Sequence, residues 1–428
     1  MAAPIISTNK APAAVDTDSQ AVEITGGTII CKKVLFIPTK NNYPLPAPCL
    51  DIIGLGLPYV AASVKKAGHE IFACNINYDW CLPNSYDYLY KKIRDSIKEN
   101  NIDVVCVGGL SADYNFVRDV INIVREIAED IVIIGGDGII TYDYEYIYSD
   151  LKPDYAIIGE GEESIVALLR SLNNKSALSF IPGLIYTDDD GMVCVSDITY
   201  ARVSDLDSLP FPEYEIFNVN KYLDLLKQDN NNYFYTHTVA DPRVMPIIMA
   251  RGCPFKCTFC CHELAPTNYR TRSVESVINE IENLWDAYKF NYLTLYDELA
   301  TRHKMTDLCD AIIELKNRRG IEFHWTCEFR VAPALKKDLV VKMKEAGCSY
   351  IGVGIESASQ KVLESMKKRI TVEQIIECVE LLESLKLGFQ GNFIFGDPSE
   401  TKETIDESME VFQKYCKDHL TFFGLVTP

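Results

Sequence analysis

The sequence is short of positive charge: 42 Lys and Arg stand against 61 Asp and Glu, a formal net charge of −19. That balance argues against a protein that coats DNA or an anionic membrane, although a local basic groove stays open. No run of about 18 or more apolar residues is present, so no membrane span is expected. The first 30 residues lack the basic stretch and apolar run of a secretory leader and read as a flexible tail. No repeat of solenoid period and no second CxxC occurs. The strict GxGxxG fingerprint is missing after the first strand, which argues against a nicotinamide site there. What is abundant is cysteine. Fifteen in 428 residues is a large and odd count for a disulfide framework, so a reducing compartment, the cytoplasm, is expected. The length suggests two or three domains, and 47% hydrophobic with 24% charged residues is ordinary globular composition.

From Lys33 to Asn173, short apolar runs alternate with longer amphipathic ones. Val34-Leu35-Phe36-Ile37, Ile71-Phe72-Ala73-Cys74, Val104-Val105-Cys106-Val107, Ile131-Val132-Ile133-Ile134 and Tyr155-Ala156-Ile157-Ile158 read as strands buried on both faces. Helical stretches run from Leu55 to Ala67, Tyr86 to Glu99, Asn115 to Ile127 and Glu162 to Leu172, with a weak piece near Tyr144. Gly68 stands where a left-handed C-cap ends the first helix. Five strand–helix repeats predict a doubly wound parallel sheet of flavodoxin or Rossmann type. Its strands end in turns such as Gly108-Gly109-Leu110-Ser111, Gly135-Gly136-Asp137-Gly138 and Gly159-Glu160-Gly161-Glu162. Glycine there serves a tight βα turn or the close approach of a ligand at the carboxyl edge of the sheet.

Residues 174–240 read as a connector with a β-hairpin around Asp188-Asp189-Asp190-Gly191. Strand candidates then restart at Val244–Met249, Tyr292–Tyr296, Phe323–Cys327, Tyr350–Gly354, Phe389–Phe395 and Thr421–Thr427. Between them lie helical stretches at 274–288, 305–318, 334–346, 372–385 and 403–417. Six strands with five helices predict a partial (β/α)6 barrel, and the sequence stops just after the sixth strand, as a short version or a fragment would.

Arg251-Gly252-Cys253-Pro254-Phe255-Lys256-Cys257-Thr258-Phe259-Cys260-Cys261 follows the first strand of this second block. Three thiols in the spacing CxxxCxxC point to a shared metal. Zinc with Cys261 or His262 as fourth ligand is one reading, and structural disulfides are another. Zinc sites, however, pair two ligand dyads across a longer gap. The favoured reading is a four-iron cluster on Cys253, Cys257 and Cys260, with one iron left open for a substrate or cosubstrate.

This motif, with aromatic Phe259 before its last cysteine, resembles the signature of radical S-adenosylmethionine (radical SAM) enzymes. Later segments are similar in the same order: Leu295-Tyr296-Asp297-Glu298, Cys327-Glu328-Phe329-Arg330, Gly352-Val353-Gly354-Ile355-Glu356-Ser357 and Gly391 to Thr401. The resemblance implies a [4Fe-4S] cluster and S-adenosylmethionine. It places Asp297 and Glu298 on the methionine ammonium and Arg330 on its carboxylate. Glu356 and Ser357 would lie towards the ribose, Phe259 against the adenine, and Gly396 near it. Each alone has the bland reading of a solvated loop charge or packing group; placement on successive strand ends lifts them.

Gly54 to Ala62, Ala67-Gly68-His69-Glu70, Ile133-Ile134-Gly135-Gly136 and Ile158 to Glu162 are similar to the cobalamin-binding domain that precedes this barrel in part of the family. Gly108, Gly109, Ser111, Gly135, Gly136, Gly159, Glu160, Gly161 and Glu162 would face that cofactor. The DxHxxG signature of a cobalt-ligating histidine is missing, and His69 reads as a surface or packing residue. The implied organisation is a tail (1–30), a cobalamin-binding-like domain (31–173), the connector (174–240) and a radical SAM core (241–428).

The resemblance implies an enzyme, a class B methyltransferase-like member that methylates an unactivated carbon of a small molecule or peptide with cobalamin. It would take electrons from a flavodoxin or ferredoxin and act as a monomer. Rivals are a cobalamin-dependent cyclase or ring-rearrangement enzyme, a tRNA methylthiotransferase and a non-catalytic cobalamin or iron–sulfur carrier. The tRNA reading is disfavoured by the net charge and by the scatter of Cys31, Cys49, Cys74, Cys81 and Cys106.

Overall fold

A computed structural model describes residues 30–49, 54–80, 85–227, 235, 238–260, 269–297, 302–331 and 335–425. These fall into two compact units, one comprising residues up to Ser204 with Ser208–Tyr222, the other Asp205–Asp207 with the chain from Leu223 onward.

The first unit is built on β1 (Lys33–Ile37), β2 (Glu70–Ala73), β3 (Val104–Gly108), β4 (Val132–Gly136) and β5 (Tyr155–Ile157). Helices α1 (Gly56–Lys66), α2 (Ser85–Asn100), α3 (Tyr114–Ile127), α4 (Asp137–Leu151) and α5 (Gly161–Ser171) cross between them or follow the last. The five strands are parallel in the order β2-β1-β3-β4-β5, the flavodoxin-like arrangement. Val34, Leu35, Phe36 and Ile37 are fully buried, as a strand covered on both faces requires. Gly68 has φ +92° and follows α1 as the left-handed stop. The hairpin β6 (Leu184–Thr187) and β7 (Val193–Val195), expected within the connector, instead extends this sheet antiparallel beyond β5. The weak piece near Tyr144 is a full helix, α4, kinked at Asp143 (φ −145°, ψ 46°). His69 is a packing histidine: it is buried, and its Nδ1 accepts the Lys32 N–H at 3.1 Å. Helix α6 (Val219–Leu226) carries the chain from the first unit to the second.

The second unit contains β8 (Val244–Ile247), the short pair β9 (Ala250–Arg251) and β10 (Arg270–Thr271), then α7 (Val274–Tyr288), β11 (Tyr292–Leu295), α8 (Arg302–Arg319) and β12 (His324–Arg330). It continues through α9 (Lys337–Glu345), β13 (Cys348–Glu356), α10 (Gln360–Ser365), α11 (Val372–Ser384), β14 (Gly388–Phe395), α12 (Lys402–Val411) and β15 (Leu420–Leu425). Six parallel strands form one sheet in the order β15-β14-β13-β12-β11-β8, the partial barrel that the sequence predicts. Side chains at the helix ends set its crossovers. Ser273 Oγ accepts the Ser276 N–H at the start of α7, and Thr371 and Gln374 exchange hydrogen bonds at the start of α11. The stretch 403–417 is not one α-helix: α12 passes into a π-turn at Phe412–Cys416. Thr421 Oγ1 donates to the Cys416 carbonyl there, at 3.2 Å.

Alternation along the strands separates a helix-facing side from a lumen. On β14, Phe389, Gly391 and Phe393 are buried, whereas Gln390, Asn392 and Ile394 between them are only partly so. On β12, Cys327 and Phe329 are buried while Glu328 is exposed. At the N-terminal end of the strands, Tyr235 meets Tyr292 edge-on, centroids 6.1 Å apart. The Tyr292 hydroxyl lies 2.9 Å from Ser349 Oγ, which accepts from Thr238 Oγ1 at 3.3 Å.

Candidate active site

The cysteine loop leaves β9 and is held at its base. Asp297, just past β11, accepts the Met249 and Ala250 N–H groups on Oδ1 at 2.6 and 3.0 Å. Arg272, past β10, gives its backbone N–H to the Met249 carbonyl (2.8 Å) and its guanidinium to the Ile248 carbonyl (3.0 Å). The same guanidinium forms a buried ion pair with Glu280 at 2.5 Å. The antiparallel β9–β10 ladder ties the two ends of the loop together.

Cys253, Cys257 and Cys260 stand half-buried on this loop and form no disulfide among the described residues. The other described cysteines of the barrel are buried, and burial pushes the Cys378 thiol up to about 12, an inert group by comparison. Beyond its base, the loop docks on the barrel. Thr258 N–H donates to the Met366 carbonyl at 3.1 Å, and the Arg330 guanidinium lies 3.8 Å over the Phe255 ring. Lys368 Nζ stands 5.6 Å from the centroid of Phe259. Among the described residues no three His, Cys, Asp or Glu side chains are gathered tightly enough for a single metal ion. The fit to a cluster therefore rests on the donor set, three accessible thiols on a braced loop. Cys261, His262 and Glu298 lie outside the described residues.

The other expected ligands of the cosubstrate divide. Arg330, at the end of β12, is 9% exposed, yet its Nε and Nη2 have no hydrogen-bond partner among the described residues. Buried guanidinium donors left without an acceptor are costly, so this side chain fits the carboxylate assigned to it. Asp297 has the loop-bracing position described above. Glu356 adopts φ +64° at an irregularity in β13 and forms a buried ion pair with Lys368 at 2.5 Å. A left-handed glutamate is strained, which marks this strand end as a functional candidate. Ser357 is not presented to the lumen: its hydroxyl accepts the Ser359 N–H and lies 3.2 Å from Ser408 Oγ. Gly396 (φ +104°) is exposed at the mouth, its N–H bonded to Glu400 at 2.6 Å.

Glu328 went unassigned by sequence reasoning although it shares a strand face with Arg330. Its carboxyl is crowded by the barrel wall yet open to the lumen. Burial, and secondly the Glu356 carboxylate, raise its pKa, with Lys368 opposing them.

In the first unit, the strand order reverses between β1 and β3, where open α/β sheets receive ligands. Gly108 and Gly109 lie there. A Cβ on Gly109 would meet Thr39 at 2.6 Å and Asp113 at 2.8 Å, so the crevice has no room for one. Gly136, at the end of β4, opens onto free space, and exposed Leu110 and Tyr142 flank Gly138 beside it. These form an apolar edge suited to a large flat ligand. Gly135 is buried within β4, and Ser111 opens a short 3-10 turn. Asp137 (φ +67°) accepts the Gly138 N–H at 2.7 Å, and burial raises its pKa, with Asp113 adding to the rise. The third turn differs. Gly159 (φ +93°) packs on the Ala201 carbonyl, and the Glu160 carboxylate accepts the Val203 N–H at 2.7 Å. Gly161 begins α5, and Glu162 is buried in its first turn. Gly159 and Glu160 are thus engaged by the strand-like segment at 201–203.

The family model for the radical SAM superfamily matches residues 247–412, and that for the B12 binding domain matches residues 49–169. The chain is a radical SAM protein with a B12-binding domain. Membership implies a [4Fe-4S] cluster and S-adenosylmethionine at the barrel and cobalamin at the first unit. This radical SAM protein is 28% identical over 377 residues to an uncharacterized methyltransferase of Pyrococcus horikoshii, a match covering 87% of this chain and 76% of the relative. It is 26% identical over 380 residues to the anaerobic magnesium-protoporphyrin IX monomethyl ester cyclase of Cereibacter sphaeroides. That match covers 86% of this chain but only 58% of the cyclase. The solved radical S-adenosylmethionine methyltransferase TsrM of Kitasatospora setae shares the fold, with TM-score 0.71 and 18% identity over 92% of this chain and 73% of that one.

Proposed function

We propose that this radical SAM protein is a methyltransferase that acts on an unactivated carbon of a small molecule or peptide. Bound together, the cluster and S-adenosylmethionine supply a 5′-deoxyadenosyl radical, and methylated cobalamin supplies the methyl group. The chain's part is to hold them. Cys253, Cys257 and Cys260 are the iron ligands. Arg330 takes the methionine carboxylate, Phe259 the adenine, and Gly396 the mouth of that site. Asp297 and Arg272 keep the loop in place, and Glu356 with Lys368 stiffens the adjoining strand end. Gly108, Gly109, Leu110, Gly136 and Tyr142 form the cobalamin edge. We take residues 31–173 as the cobalamin-binding part, 174–240 as the connector and 241–428 as the radical SAM core. The protein acts in the cytoplasm as a monomer, reduced by a flavodoxin or ferredoxin.

The observation that carries the reading is Arg330: a buried guanidinium with two donors that find no partner among the described residues, stacked on the cysteine loop itself. The test is anaerobic reconstitution with iron, sulfide and cobalamin, then reduction in the presence of methyl-labelled S-adenosylmethionine. Expected products are 5′-deoxyadenosine and a labelled methylated substrate, with more than one S-adenosylmethionine consumed per product. Absence of 5′-deoxyadenosine from cluster-loaded protein would sink it. The similarity to the cyclase keeps one second reading, radical ring formation, which would give 5′-deoxyadenosine without label transfer.

A further inference from the structure

The barrel lumen carries a carboxylate that no cofactor role accounts for. Glu328, Gly352 and Gln390 stand in register across β12, β13 and β14, and Arg330, Gly354 and Asn392 form the next row towards the mouth. Gln390 Nε2 donates to Asn392 Oδ1 at 2.7 Å, joining the two rows on β14. The glycines between are occupied from the side. A Cβ on Gly352 would lie 2.5 Å from Glu328 Oε1 and 2.9 Å from its Oε2. One on Gly354 would lie 2.6 Å from Glu356 Oε1 and 2.9 Å from Lys368 Nζ. The Glu328 carboxylate thus leans over bare main chain towards Gln390.

The charges of this wall do not cancel. Glu356 is matched by Lys368 at 2.5 Å. Arg330 is matched by the carboxylate it is proposed to hold. Glu328 accepts no hydrogen bond and joins no ion pair among the described residues, and it stays open to the lumen. A solvent-accessible carboxylate on the lumen wall with both oxygens available, beside an amide pair, is suited to accept from a cationic nitrogen. We propose that Glu328 seats an ammonium or guanidinium group of the substrate, so that the lumen selects a nitrogen-bearing cation over an uncharged molecule of the same shape. This rests on the radical SAM reading and deepens it. The ammonium of S-adenosylmethionine has the same chemistry, so the two sources must be separated.

The test uses the full reconstituted chain and ligand-observed NMR with a panel of arylalkylamines, each paired with the alcohol of the same skeleton. The wild type is expected to bind amines in preference to alcohols. Glu328→Gln should weaken the amines about tenfold, the loss of one charge-assisted hydrogen bond, and leave the alcohols unmoved. Gly352→Ala should do the same by displacing the carboxylate. Equal binding of amine and alcohol by the wild type, or amine binding insensitive to Glu328→Gln, overturns the proposal. A similar loss of S-adenosylmethionine affinity in Glu328→Gln, read from the perturbation of the cluster's EPR signal, also overturns it by giving Glu328 to the cosubstrate. Failure of the radical SAM reading is distinguishable, because it removes 5′-deoxyadenosine formation from the wild type whatever the amines do.

Discussion

Replacing Asp297 by alanine should detach the cysteine loop at its base while leaving most of the barrel folded. Asp297 Oδ1 holds the N–H groups of Met249 and Ala250 at 2.6 and 3.0 Å, two residues that are themselves buried. Hydrogen bonds to an ionised acceptor contribute about 1.5–3 kcal/mol each. Losing both therefore costs about 3–6 kcal/mol, concentrated on the four residues before Cys253. Even the lower figure lowers the population of the correctly placed loop by about a hundredfold. Asp297→Asn keeps a carbonyl acceptor in the same place and should lose only about 1 kcal/mol. The assay is iron and sulfide per chain after anaerobic reconstitution, with EPR of the reduced protein, across wild type, Asn and Ala. The expected order of iron content is wild type, then Asn close behind, then Ala far below. An alanine variant with full iron content and an unchanged spectrum would refute the bracing argument. If that variant also lost affinity for S-adenosylmethionine, Asp297 would be the cosubstrate ligand that the family resemblance implies.

Three further outcomes follow from the same reasoning. Arg272→Met strands the Glu280 carboxylate in a buried site and should cost about 3–5 kcal/mol, whereas the double change Arg272→Met with Glu280→Leu should recover much of it in thermal unfolding. Gly159→Ala puts a Cβ against the Ala201 carbonyl at φ +93° and should destabilise the first unit by about 2 kcal/mol or more, read as a lowered Tm. The raised pKa of Glu328 means that its ionised form disfavours the fold. Its contribution is fully present below the unfolded-state value of about 4.3 and is lost as pH rises through the folded one. Glu328→Gln should therefore unfold at a higher temperature than wild type at about pH 8, with the gap closing towards pH 4; a gap independent of pH would contradict this.

The scaffold was legible because its signals are local. Runs such as Val104–Val107 and Tyr155–Ile158 are apolar on both faces only where a sheet is covered twice, and the strands at 104–108 and 155–157 follow them closely. Strand β12 runs three residues past the expected Cys327, because Glu328 and Arg330 are polar and break an apolar run without breaking the period of two. The same residues show where reading a site from sequence stops. Asp297, Glu356 and Ser357 stand at the strand ends that family resemblance names. What each carboxylate or hydroxyl touches depends on Met249, Lys368 and Ser408, which are 48, 12 and 51 residues away. Gly159 and Glu160 have the same outcome: a glycine turn that reads as ligand-facing is engaged by a segment about forty residues later. Glu328 is visible in the sequence only once its strand is extended by three residues.

The aromatic and hydroxyl contacts of Tyr235, Tyr292, Ser349 and Thr238 gather at the N-terminal end of the strands. Among the described residues the sheet is not closed between β8 and β15, so exchange is through the C-terminal mouth or that open side. Glu328 lies two residues deeper than Arg330, about 7 Å along the strand. A ligand held by Glu328 would therefore sit deeper than one held by Arg330. If the deeper ligand enters past the shallower position, the order of addition should matter: steady-state rates should fall when the shallower molecule is supplied first and in excess.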